Sequence, residues 1–528
     1  MNRTVRTLLG LLAVGLVALT SCKQDRTEPQ QNEGTTYVSV AINLQSSLRA
    51  GDSDDKEFNY KGTWNGKDAI ETVDVYVVGN GEVSYGQYQA NDFKINKATD
   101  GDNISIKPNK AILTTPGAKK IYALINAPKA ITETLEKSMP DHFNKAYAKA
   151  VEDMKTADVA RDVARADGEK EDVIMMSNSA ECNIDIEDGV TKDEAIAGTK
   201  NCAKVNVQRV VARVILTTKE PSYEIKLQDG TVLGKIENIT YAVAQGEKAF
   251  YISQQKNQAG SIVTPGYKFL PLVDPANKSK LTNYEDQAKI YDYSDLHATV
   301  DNPRNALVAA DLNSALEIGK KSLESSAFIF EASHMFGEEG QTVKTYTGDF
   351  RRGNTPYVLV RTKFTPNLDL FYNDYQRTLF EKGDGTFYRG EDGLFYAKNK
   401  PFKGGKYKDR LVPEQKYTEY KAGKVLYHVF VNPDDVYKTL DAPAYRNNIY
   451  HISVTGFKSL GLNWNPLYPE DPDDPENPQK NPDPKPKDDP NTPPYVPGDK
   501  NTPEETYMAV EVNVVPWNVH TYDIVLGL

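Results

Sequence analysis

The sequence predicts a mainly β protein of β-sandwich architecture with minor helical insertions. Short runs rich in Val, Ile, Tyr and Phe recur along most of the chain, bounded by Gly, Asn, Asp and Pro turn chemistry. Within several runs the apolar residues alternate with period two, the pattern of a half-buried strand. The length of 528 residues, at roughly 100–200 residues per domain, predicts two to three domains. No close internal repeat is visible.

The first element is a signal for export. Arg3 and Arg6 form a basic n-region and Leu8 to Leu19 an apolar run without charge. The run closes as Leu19-Thr20-Ser21-Cys22, an apolar residue and two small ones before a cysteine, the pattern of a lipobox. Residues 1–21 are therefore read as a lipoprotein signal peptide and Cys22 as the lipid-carrying residue. The plainer alternative is an ordinary signal peptide with an incidental cysteine. No later stretch approaches the ~18 apolar residues of a membrane span.

A polar tether over 23–34 leads into Thr36–Leu44, where Val38, Val40, Ile42 and Leu44 share one face. The small and charged loop 46–55 follows. Strands are then expected at Ile70–Val78 and Lys120–Asn126, the first ended by Gly79-Asn80-Gly81 and the second by Ala127-Pro128. One helix is expected from Pro140-Asp141, because Phe143, Tyr147, Val151 and Met154 recur at three- and four-residue spacing. Val173–Met176 returns to strand, and Val205–Thr218 is a long run near an expected domain junction. The second half continues in this style at Ile236–Val243, Phe328–Glu331, Tyr357–Phe364, Val425–Val431 and Ile449–Val454. Gly383-Asp384-Gly385 and Glu391-Asp392-Gly393 separate aromatic runs as tight turns.

Residues 465–503 differ in kind, since thirteen of these 39 residues are proline. Proline removes the backbone donor and favours an extended chain, so the stretch reads as a semi-rigid, solvated spacer. Its carboxylates lack the spacing of a calcium loop. Beyond it, Met508, Val510, Val512 and Val514 alternate on one face. Pro516 is expected to break that strand, and a second segment places Tyr522, Ile524, Leu526 and Leu528 on one face. Termini fray unless docked, so these strands need a partner.

Catalytic chemistry finds no foothold: HExxH, GxSxG, a phosphate-binding glycine loop and CxxC are all missing from the sequence. The six histidines, at 142, 297, 334, 428, 451 and 520, lack metal-ligand spacing. No catalytic, cofactor-binding or metal-binding residues are assigned. The net charge of −11 argues against a nucleic-acid partner, which calls for clustered Lys and Arg. With Cys22 given to lipid, Cys182 and Cys202 remain as an even pair in an oxidising compartment. A bridge between them would contribute ~3 kcal/mol in the chain-entropy model; two free thiols are the alternative.

Two apolar strands at opposite ends of the chain, each on a linker, suggest assembly. A departing strand leaves unpaired N–H and C=O groups along an apolar groove, which a strand of another copy can fill. Donor and groove are different surfaces of one subunit, so the contact propagates head to tail. Four to six aliphatic side chains at ~1.5–3 kcal/mol each give roughly 6–18 kcal/mol before ordering costs. Release of Val38–Leu44 needs a cut in the following loop, and Arg49-Ala50 is the expected site. Arg26, Arg161 and Arg165 compete as exposed sites without releasing that strand cleanly.

The chain resembles the Bacteroidales fimbrillins. The residues that carry the resemblance are the lipobox at Cys22, LRAGD at 48–52, KKIYALINAP at 119–128, VIMMSNS at 173–179 and VQRVVARVIL at 207–216. Further along they are YVLVRTKFTP at 357–366, YRNNIYHISVTGFKSLG at 445–461 and VVPWNV at 514–519. The resemblance implies two tandem transthyretin-like β-sandwich domains, outer-membrane lipoprotein export, cleavage by an Arg-specific gingipain-like protease at Arg49, and donor-strand exchange. The implied division is a signal peptide over 1–21, a propeptide with the removable strand over 22–49, and sandwich domains over 50–214 and 215–464. The spacer over 465–503 and a donor segment over 504–528 complete it. The implied partners are further copies of the chain, fimbrial anchor and tip subunits, the protease, and receptors on host cells or other bacteria. The lipidated precursor is expected at the outer membrane and the mature subunit in an extracellular fimbrium. A tip or anchor adhesin, or a glycan-binding surface lipoprotein that does not self-polymerise, is the competing expectation.

Overall fold

The computed structural model describes residues 35–44, 64–65, 68–97, 104–151, 159–165, 172–256, 262–268, 284–311, 313–315, 317, 326–333, 350–398, 412–432, 443–468, 482–485, 501 and 508–518. Cys22, Arg49, Ala50, Tyr522, Ile524 and Leu526 lie outside the described residues.

The first half supplies β1 (Thr36–Leu44), β2 (Trp64–Asn65), β3 (Thr72–Gly79), β4 (Glu82–Gln89), β5 (Phe93–Lys97), β6 (Ile104–Pro108), β7 (Ile112–Thr114) and β8 (Gly117–Ile125). Helices α1 (Lys129–Lys137) and α2 (Phe143–Ala148) follow, then β9 (Met176–Asn178), β10 (Asn183–Ile186), α3 (Lys192–Ala197) and β11 (Cys202–Arg209). Ten of these strands form one sheet in the order β4-β3-β8-β9-β11-β1-β6-β5, with β10 beside β8 and β7 beside β1. Three strands separate β1 from β3 in that order, yet Val38, Val40, Ile42 and Leu44 share a core with Val73, Val75 and Val77. The sheet therefore curls over on itself. Asn80 and Gly81, at φ 57° and 75°, form the turn between β3 and β4. Both central residues of such a tight hairpin need positive φ, which Asn and Gly tolerate.

The other face of this sheet is also covered. Tyr76 and Val78 of β3 pack with Leu124, Ile131, Phe143 and Tyr147. The expected helix over 140–154 is shorter than its spacing suggests. It ends at Ala148, Lys149 is extended, and Val151 lies in a two-residue strand opposite Phe250. Phe143 and Tyr147 already bury the one apolar turn that this helix needs.

The chain leaves the first sheet along β11 and enters the second as β12 (Val211–Thr218), with Val210 between them. The expected boundary at 214/215 falls inside β12. Every residue of β12 is buried, because Ala212, Val214 and Leu216 face one core and Val211 and Ile215 another.

The second half is a sandwich. Its first sheet joins β12 to β16 (Leu307–Val308), β17 (Ser326–Phe330), β20 (Asn448–Phe457), β21 (Met508–Asn518) and β2. Its second sheet is β13 (Tyr223–Lys226), β14 (Val232–Ala244), β15 (Arg304–Asn305), β18 (Tyr357–Pro366) and β19 (Lys424–Phe430). Leu216, Tyr241, Val360, Tyr427, Ile452 and Met508 share the core between them. Another core, with Val211, Phe328, Phe330 and Ile449, reaches across to Leu124 and Phe143 of the first assembly.

The stretch 465–503 departs from a solvated spacer at its described points. Asp483 is 1 % exposed. Arg361 Nη2 donates to its Oδ2 at 2.8 Å and Lys424 Nζ to its Oδ1 at 3.1 Å. Asn501 Nδ2 donates to Thr355 Oγ1 at 2.9 Å. An acidic residue among prolines docks here because two cations on β18 and β19 need a counter-charge.

Candidate strand-exchange site

The seat of the N-terminal strand is an interior one. β1 runs parallel to β11 from Ser39 opposite Cys202 to Leu44 opposite Val207. On its other edge it is antiparallel to β6 (Ile42 opposite Ile106) and to β7 (Val38 opposite Ile112). Val38, Val40, Ile42 and Leu44 are each at most 1 % exposed. At ~1.5–3 kcal/mol per fully buried aliphatic side chain, they contribute about 6–12 kcal/mol gross.

A polar collar fixes where β1 starts. Tyr37 N–H donates to Val190 O at 3.1 Å and Ser39 N–H to Asn201 O at 2.9 Å. Asn201 Nδ2 reaches Tyr37 O at 3.0 Å, and Thr36 Oγ1 donates to Glu187 O at 2.7 Å. The collar is stiffened by α3, whose Thr191 and Glu194 form a reciprocal capping box. Donation from the Thr191 N–H and hydroxyl holds the Glu194 carboxyl below its usual range. The Leu44 end carries no such collar among the described residues. Strand and collar together define a slot lined by Ile106, Ile112, Ala203, Val205 and Val207, all buried.

The C-terminal strand sits elsewhere. β21 is antiparallel to β20 from Met508 opposite Phe457 to Pro516 opposite Asn448, with one irregularity between Val454 and Gly456. Val510, Val512 and Val514 lie opposite Val454, Ile452 and Tyr450. Met508 is 1 % exposed in the sandwich core. The alternating segment is thus housed in its own subunit, in a different sheet from β1. Pro516 does not end the strand, which continues to Asn518. The pairing of β21 with β2 on its outer edge covers Trp517 and Asn518 and does not include Pro516, and a proline is tolerated where the ladder does not call on its missing N–H. The parallel pairing of Trp64 with Trp517 and of Asn65 with Asn518 has no counterpart in the sequence reading. A two-residue strand leaves no periodic signal.

Cys182 and Cys202 are free thiols. Cys182 packs against the core of the curled sheet and its Sγ donates to Lys204 O at 3.3 Å; burial pushes its thiol up. Cys202 alternates with Ala203, Val205 and Val207, which face that same core, so it lies on the opposite face of β11. The candidate bridge is not formed, because the two thiols point to different sides. Among the described residues no group of three or more His, Cys, Asp or Glu side chains gathers to hold a metal ion.

A family described as the major fimbrial subunit protein type IV, fimbrillin, C-terminal, matches residues 418–523, a span that includes β19, β20 and β21. The chain is 29 % identical to the minor fimbrium subunit Mfa1 of Porphyromonas gingivalis, over 97 % of each sequence. Among solved structures, a fimbrillin of Porphyromonas gingivalis aligns over 93 % of this chain and 99 % of its own, with 11 % identity and a TM-score of 0.42. The tip fimbrial protein Mfa3 of Porphyromonas gingivalis aligns over 91 % of this chain and 100 % of its own, with 11 % identity and a TM-score of 0.31. The chain is thus similar over nearly its whole length to a fimbrial subunit, and its residues 418–523 match the C-terminal fimbrillin family.

Proposed function

We propose that the chain is a shaft subunit of a surface fimbria, built as two tandem transthyretin-like β-sandwich domains and polymerised by donor-strand exchange. The observation that carries this reading is the seat of β1. It is an interior strand with partners on both edges, yet its Leu44 end leads directly to the loop holding Arg49. Cutting after Arg49 frees a strand whose loss unpairs β11, β6 and β7 and opens an apolar slot. A strand with small aliphatic residues at alternate positions fits that slot, and Met508–Val514 has this pattern. Cys22 carries the lipid of an outer-membrane precursor, and the Arg-specific cut discards it with the propeptide. The mature fibre then attaches to receptors on host cells or other bacteria, with anchor and tip subunits at its ends.

The second reading is a tip or anchor adhesin, or a glycan-binding surface lipoprotein, that does not self-polymerise. The seating of β21 on its own β20 favours it. Digestion of the purified precursor with an Arg-specific protease, followed by N-terminal sequencing and electron microscopy, separates the two. Fibres accompanying a new terminus at Ala50, with an Arg49→Ala precursor that stays monomeric, support the shaft subunit. Stable monomers after a clean cut at Ala50 support the adhesin.

A further inference from the structure

Cleavage opens a groove, but it does not by itself free a donor. We propose that Trp64–Asn65 latches the C-terminal strand in its home sheet, so that donor release is a second, separately controlled step after proteolysis. The proposal rests on the strand-exchange reading above.

β21 has β20 along one edge; on the other edge, among the described residues, its partner is β2. The contact is parallel and joins Trp64 to Trp517 and Asn65 to Asn518. Two residue pairs alone would fray. The latch is rooted a few residues further on, at Asp68, which is fully buried. Arg209 donates to the Asp68 carboxylate through Nε at 2.9 Å and through Nη2. The same guanidinium donates through Nη1 to Asn447 Oδ1 at 3.0 Å. Asn447 immediately precedes β20, whose first residue, Asn448, lies opposite Pro516 of β21. The chain from Trp64 through Asp68, Arg209 and Asn447 to Asn448 therefore closes around one end of β21. Ala69 adds two bonds, its N–H to Asp172 O at 2.8 Å and its carbonyl accepting from Asn126 Nδ2 at 2.7 Å.

The position of this root relative to the cut matters. Arg49 lies before Trp64 in the chain, so removal of 1–49 takes β1 away and leaves Trp64, Asn65 and Asp68 in the mature subunit. None of the contacts just named involves β1. The two halves of strand exchange are thus under different controls: proteolysis governs the acceptor slot, and the β2 contact governs the donor. A freshly cut subunit has an open slot and a donor still held at home, which delays assembly until the latch opens.

The test uses the full precursor and its cut form, in wild type and in an Asn65→Pro variant, which loses a backbone donor in β2. A Trp64→Gly variant is the second probe, in case proline disturbs the buried root. Amide hydrogen exchange at 508–518 is read in the uncut precursor, and assembly after cutting is followed by light scattering and electron microscopy. The expected result is exchange faster by about tenfold toward the Asn518 end, an unchanged rate of cutting at Arg49, and an assembly lag shortened several-fold. Unchanged exchange in both variants overturns the latch, whatever the assembly kinetics. Faster exchange with an unchanged or longer lag overturns its control of assembly. If wild type and variants all stay monomeric after a clean cut, the strand-exchange reading fails, and control of assembly fails with it.

Discussion

Replacing Asp483 with Asn removes one charge at nearly constant volume from the place where the proline-rich stretch is tied to the second sandwich. The Asp483 side chain is 1 % exposed, against 11 % for Arg361 and 36 % for Lys424. Burial opposes ionisation of Asp483, but Arg361 and Lys424 outweigh it and hold the carboxyl below its usual range. Removing one partner of a buried ion pair costs about 3–5 kcal/mol, because the other charge is left uncompensated. Arg361 retains Thr299 Oγ1 at 2.9 Å and Leu296 O at 2.8 Å, and Lys424 is partly solvated, so the expected loss is about 2–3 kcal/mol. Thermal unfolding of the second sandwich should move down by roughly 4–10 °C, and trypsin should cut more readily at Lys480, which Asn481 follows. Because the folded-state value is depressed, this stabilisation is whole above the ordinary aspartate range and is lost as pH falls through it. The loss is complete only below the depressed folded-state value, so wild type and Asp483→Asn should converge only in acid well below the ordinary aspartate range. An unfolding temperature within about 1 °C of wild type at neutral pH, with unchanged tryptic cutting, would refute a tethering role for this carboxylate.

Two further predictions concern the cores. Ile42→Ala, at a fully buried position of β1, should cost the uncut precursor about 2–5 kcal/mol in urea unfolding. The cut chain should show no difference once the propeptide has gone; a persistent difference would mean that the strand stays bound. Glu247 is buried and accepts from Gly266 N–H and the Thr264 hydroxyl. Burial, with the Glu331 charge, pushes it up to about 8. A raised folded value means that its contribution is whole below the ordinary glutamate range and is lost as pH rises toward about 8. Glu247→Gln should flatten the fall in stability over that window, as read by thermal unfolding at stepped pH, and an unchanged slope would remove Glu247 as its cause.

Much of the strand content was legible in the residues, and the reason differs between elements. β1 was readable because one face is core and the other is not, so alternation survives in Thr36–Leu44. β12 was readable as strand but not as a strand between two cores. Its run VARVILTT lost alternation because both faces are buried. The helices were the weakest part. α1 went unnoticed, and α3 was missed although Thr191 and Glu194 spell a capping box that could have been found. At the candidate site, alternation in Met508–Val514 announced that the segment needs a partner. It could not announce that the partner is β20 of the same subunit, because pairing depends on groups far apart in sequence. Asp483 was illegible for a related reason: among many acids in 465–503, only the positions of Arg361 and Lys424 set it apart.

The continuity of β11 and β12 has a mechanical meaning. Cys202–Thr218 runs from the sheet that houses β1 into the sheet that houses β21, interrupted only at Val210. β11 borders the slot that β1 occupies, and β12 borders β20, on which β21 lies. In the fibre proposed above, load entering at the slot of one subunit would pass along this covalent backbone to the strand beside its outgoing segment. The pull would act along strands whose interstrand hydrogen bonds run across it, slanted in the parallel pairs β1–β11 and β12–β20 and square to the strands in the antiparallel pair β20–β21. It therefore loads many bonds together in shear instead of peeling them singly. A thread of such subunits would fail at the joints between subunits before it failed within them.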